Sequence, residues 1–144
     1  MRSPIVVVSL VALLFAAATY ADADGWTTPK RNSEERKAIM NAMRPTLARK
    51  LNAPIQFVVK ELRVFDDWAF AQVVPQRPGG RPINLRNIPL RAEAEYMDGV
   101  RTEVFLRRKN GRWQVIEHAI GATDAWYVAY CTKAPRALLV GYCP

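Results

Sequence analysis

His118 is the only histidine in the chain and the natural first suspect for acid–base chemistry, because an unperturbed imidazole titrates near neutral pH. Glu117 precedes it and on paper completes a pair. On a β-strand, however, consecutive side chains point to opposite faces, so the two diverge and His118 reads as a partly buried, hydrogen-bonded residue. Catalysis by His118 would need a more distant carboxylate in a sheet-lined pocket. The other carboxylates come as Asp66 with Asp67 and as Glu93 with Glu95, the latter at the spacing of one strand face. Glycosidase-type hydrolysis needs two carboxyls across a cleft, one shielded so that its pKa rises. A turn pair and an exposed alternating pair meet neither demand. A serine triad fails as well: there is no G-x-S-x-G turn, and Ser33 is placed to cap a helix.

The thiols carry a different message. Cys131 and Cys143 lie close together near the C-terminus, and in an oxidising compartment such a pair reads as one disulfide. It would pin the tail and contribute about 3 kcal/mol by the chain-entropy model. A redox pair would more often be C-x-x-C at a helix start. One histidine with two distant thiols makes no tetrahedral metal site, so no metal and no cofactor are expected.

Charge points to a partner class. Lys and Arg total 21 against 13 Asp and Glu, a formal net charge of +8. A basic surface favours anionic neighbours such as acidic proteins, phospholipid headgroups, wall polymers or nucleic acid. Arg107-Arg108-Lys109 with Arg112 cluster at a turn, where charge is easily solvated. Arg77, Arg81 and Arg86 fall in the Pro/Gly/Asn-rich stretch 75–89, and a loop of that length is more often functional or disordered than a plain connector. These three arginines are therefore the candidate binding residues.

The N-terminus predicts export. Arg2 is followed by an apolar run over residues 5–18 and by Ala21-Asp22-Ala23, the basic, apolar and A-x-A parts of a cleavable signal peptide. Cleavage is expected after Ala23, with the bond after Ala21 as the alternative. The run is shorter than the roughly 20 residues of a spanning helix, and no later stretch is long and apolar enough. Residues 1–23 are thus a signal peptide and 24–144 one domain in the periplasm or outside the cell. Export also argues against nucleic acid, although Trp126, Tyr127 and Tyr130 near basic residues have the composition of a stacking surface.

The elements that must position these residues follow from periodicity. Asn32 or Ser33 caps a helix whose first turn holds Glu34 and Glu35; with Asn32 as cap, Glu35 reaches back in a capping box. Ile39, Met40, Met43, Leu47 and Leu51 form one apolar face, and Pro45 predicts a kink or two short helices. Residues 55–64 and 68–74, joined by Asp66-Asp67, read as an antiparallel hairpin. Residues 100–109 and 112–118 read as a second one around Asn110-Gly111. Thr123-Asp124 then predicts a cap for a short helix with Trp126, Tyr127 and Tyr130, and Pro135 the start of another with Leu138, Leu139 and Val140. Trp68, Phe70, Phe105 and Trp113 are expected in the core.

The expected fold is α+β: an N-terminal helix on an antiparallel sheet of two hairpins, with a short helical tail. Through Glu34-Glu35-Arg36-Lys37-Ala38-Ile39 with Arg44-Pro45, Asp67-Trp68-Ala69-Phe70, and Lys109-Asn110-Gly111-Arg112-Trp113-Gln114-Val115, the chain resembles small exported bacterial proteins with a cystatin-like or NTF2-like domain. The resemblance covers residues 33–120 and fits the cystatin-like version better, since little helix precedes the sheet. It implies a ligand- or protein-binding scaffold as often as an enzyme, and it transfers no site residue. The expected function is an exported binding or accessory protein for a protein or an anionic envelope component, with a small His118-based enzyme as the alternative.

Overall fold

A computed structural model describes residues 25–144. The signal-peptide reading falls on residues outside these. Among the described residues, no helix is long and apolar enough to cross a membrane.

The helix α1 spans Glu34–Leu51 and runs through Pro45 as one element, so the two-helix alternative is set aside. Pro45 is exposed, and its missing N–H leaves the carbonyl one turn earlier without its usual partner. Ser33 is the cap, its Oγ accepting from the Arg36 amide at 3.2 Å. That choice removes the capping box. Asn32 is left in the left-handed region, and the Glu35 carboxylate pairs instead with Arg108 across the fold at 3.2 Å. Ile39, Met43, Leu47 and Leu51 are buried, and Met40 is partly so.

Strands β1 (Gln56–Phe65), β2 (Trp68–Gln76), β3 (Thr102–Lys109) and β4 (Arg112–Ile120) form an antiparallel sheet in the order β1-β2-β3-β4. Asn110 and Gly111 both adopt positive φ, 51° and 73°, as the tight turn between β3 and β4 requires. Two bulges explain why the apolar alternation of the sequence is imperfect. The β1–β2 register shifts at Lys60, so Phe57 and Val59 before it and Leu62 and Val64 after it all reach the helix-side core. In β4 the extra residue is Ile116, which lets Trp113, Val115 and Ile120 share that side.

The second face of the sheet is covered too. Residues Trp126–Thr132 and Arg136–Leu139 form short 3₁₀ helices that close over Phe70 and Phe105. Tyr130 stacks on Phe105 at 3.9 Å between centroids, and Trp126 meets Phe105 edge-on at 5.8 Å. The two Cys thiols form a disulfide that ties Cys131 to Cys143. Ala125, not Thr123 or Asp124, precedes the first turn, and it offers no side-chain cap. Trp68, Phe70 and Phe105 therefore belong to a tail-side core, while Trp113 belongs to the helix side.

The stretch after β2 corrects the loop expectation. Single 3₁₀ turns at Pro78–Gly80, Leu85–Asn87, Pro89–Ala92 and Ala94–Tyr96 carry the chain to β3. Ile83 and Ile88 are buried, with Leu85 and Leu90 packed against the same core. Glu93 and Glu95 lie in these turns rather than along a strand face, because β3 begins only at Thr102.

Candidate functional site

Each residue singled out from the sequence has a definite place. The Arg77 guanidinium donates to the carbonyls of Leu51 (2.7 Å), Asn52 (2.6 Å) and Pro54 (3.1 Å). It thereby satisfies backbone acceptors that the C-terminus of α1 leaves open. The Arg77 guanidinium is thus engaged in the fold. Arg81 and Arg86 are exposed; Arg81 reaches back to the Pro78 carbonyl at 3.4 Å. Asp67 pairs with Arg107 at 2.9 Å, which holds its carboxyl below the ordinary value, and Arg107 lies over the Trp68 ring. The Asp66-Asp67 turn is a structural feature.

His118 is half-buried on the helix side of β4. It lines a pocket of about 210 Å³ with Lys50, Leu90, Glu93, Met97 and Ile120. Burial, and then the positive charges of Lys50 and Arg49, push its pKa below the ordinary 6.5, while Glu117 opposes the shift. Glu117 points to the other face and accepts from the Tyr130 hydroxyl at 2.6 Å. The strand thus separates the two neighbours, as alternation requires.

Glu117 belongs to a pattern that motif reading missed. Three glutamates on the tail side of the sheet each accept a bond from an aromatic donor of the tail: Glu61 from Tyr142, Glu103 from Trp126 at 3.3 Å, and Glu117 from Tyr130. Glu103 is buried and also meets Arg101 at 3.0 Å. Burial and these carboxylates push the Tyr130 hydroxyl up to about 12 and raise Tyr142 as well. Arg63 completes the attachment, held between the Trp26 and Tyr142 rings (4.6 and 4.9 Å) and donating to the carbonyls of Leu138 and Val140. These groups are absorbed by holding the tail down.

A larger hollow lies elsewhere. Helix α1 lies closest to β4, at one edge of the sheet, and this leaves a groove of about 660 Å³ between the helix and β1 at the other edge. Phe57, Val59 and Met40 supply apolar surface, and Asn32, Asn41 and Gln56 supply amides. Its charged lining consists of Arg31, Arg36, Lys37 and Arg44, with no carboxylate. Arg44 is oriented by Asn41 Oδ1 (2.5 Å), the Ile55 carbonyl (3.3 Å) and the Phe57 ring (5.6 Å). Arg36 is fixed by the Pro29 carbonyl at 3.1 Å, and Lys37 shares its charge with Glu34 at 2.8 Å. Arg31 and Lys37 are exposed at the mouth. Helical spacing was the available signal: Arg36, Lys37, Met40, Asn41 and Arg44 recur at i, i+4 and i+8 or i+7 along one side of α1. They lie outside the densest basic run, Arg107-Arg108-Lys109. Compared with known proteins, the chain matches no family model, no curated protein and no solved structure.

Proposed function

We propose that this protein is an exported binding module that holds an anionic partner in the groove between α1 and β1. The supporting observation is the lining: four cationic side chains, no carboxylate, and an apolar floor. Cations held by neutral partners, as Arg36 and Arg44 are by carbonyl and amide oxygens, keep their charge available to a ligand. The disulfide fits an oxidising compartment, and the cystatin-like or NTF2-like resemblance belongs to the same proposal. The test is an NMR titration of residues 24–144 with hexaglutamate. Shifts confined to residues 31–44 and 56–59, weakening as salt rises, support the module. Shifts spread over every basic patch contradict it.

A second reading rests on the smaller pocket, where His118 shares a wall with Glu93 and Lys50. A His118-dependent enzyme would show a pH-dependent activity that is lost in His118→Ala while the fold survives.

A further inference from the structure

The groove reaches the outer edge of β1, and this narrows the kind of partner. Gln56, Phe57, Val58 and Val59 all line it. Phe57 and Val59 point to the helix side, so Val58 between them points the other way. A hollow bordered by consecutive strand residues of both orientations runs along the edge of the strand rather than over one face. Val58 is also among the exposed large apolar residues.

That edge already accepts a strand partner at one place. Thr27 and Val64 exchange both backbone bonds, each at 2.8 Å, as an isolated antiparallel bridge. The N–H and C=O of Val64 therefore face outward, and by alternation so do those of Leu62. The bridge cannot extend toward Leu62, because two residues after Thr27 comes Pro29, which has no N–H and is buried. The chain then turns away into α1. Among the described residues, no other segment pairs with the outer edge of β1.

Resting on the anionic-partner reading above, we infer that the partner is an extended acidic peptide segment that adds a strand to β1 while its carboxylates meet Arg31, Arg36, Lys37 and Arg44. Backbone pairing gives such a complex its affinity and alternate side chains give it selectivity. The alternate, apolar side chains of the peptide then point to the other side of the strand, where Val58 is exposed. A second copy of this chain is disfavoured on the same edge, since edge-to-edge pairing would bring two like sets of cations together.

The test uses the decapeptide (Glu-Val)5 and the same peptide with every backbone amide methylated, which keeps the charge and removes each donor. Within the groove the outward amide is that of Phe57, since its β2 partner Pro75 has no N–H to pair with it. Binding to residues 24–144 is read by fluorescence anisotropy, and exchange of the Phe57 amide by NMR. Strand addition predicts that methylation weakens binding at least tenfold and that saturation with the unmodified peptide slows Phe57 exchange at least tenfold. Equal binding of both peptides with unchanged Phe57 exchange overturns strand addition and leaves the anionic-partner reading standing. No binding of (Glu-Val)5 overturns it as well. Hexaglutamate then decides the broader reading separately: continued groove shifts preserve it, and their absence removes both.

Discussion

Two residues show how a side chain's chemistry depends on where the fold places it. Arg77 looks like a contact arginine in a loop, yet its guanidinium closes the end of α1 on three carbonyl groups. Arg77→Ala should cost about 1.5 kcal/mol in chemical denaturation, the lower end for hydrogen bonds from a charged donor, since only the bond to Leu51 is shielded from solvent. Arg86→Ala, on the exposed surface, should stay within about 0.5 kcal/mol. His118 is the second case. Its pKa is depressed by burial and by Lys50 and Arg49, so the fold prefers the neutral ring. Stability from this preference is complete above the ordinary 6.5 and is lost as pH falls through the lower folded value. Denaturation curves between pH 7.5 and 5 should show this decline in the wild type, and His118→Gln should flatten it. The separation of His118 from Glu117 was legible, because it follows from strand alternation alone. The partners of Arg77 were not, because they are backbone groups 23 to 26 residues away.

At the scale of elements, what was legible is what repeats locally. The helical spacing of Ile39, Met43, Leu47 and Leu51 and the Asn110-Gly111 turn each encode their structure within a few residues. The bulges at Lys60 and Ile116 interrupt the period of two, yet they keep the apolar set on one face. The 3₁₀ segments between β2 and β3 and those of the tail have no comparable signature, since each is a short piece fixed by what it packs against. The disulfide belongs to this scale. It joins residues 12 apart in a segment otherwise held by aromatic contacts and carboxylate bonds. The double variant Cys131→Ser/Cys143→Ser should lose about 3 kcal/mol. Near-UV circular dichroism should show weakened aromatic signals from the tail while far-UV spectra keep the sheet. An unchanged near-UV spectrum and stability would mean that the aromatic contacts alone hold the tail.

Over the described residues the sheet is enclosed on both faces, and the proposed binding groove lies at one edge. The tail covers the acidic side of the sheet, and Glu61, Glu103 and Glu117 accept hydrogen bonds from its aromatic donors. On the other side, the lean of α1 toward β4 opens the cation-lined groove over β1. Composition showed the excess of positive charge. Its concentration in one groove was illegible because it depends on the angle at which the helix crosses the sheet. The most direct test of a built binding groove compares two variants of equal net charge. Arg31→Glu/Lys37→Glu alters the groove mouth; Lys109→Glu/Arg112→Glu alters the exposed β3–β4 turn. Binding of hexaglutamate to each is measured by titration calorimetry at low salt. The groove account predicts at least a tenfold loss in the first variant and less than a threefold loss in the second. Equal losses in both would contradict it and assign the binding to net charge alone.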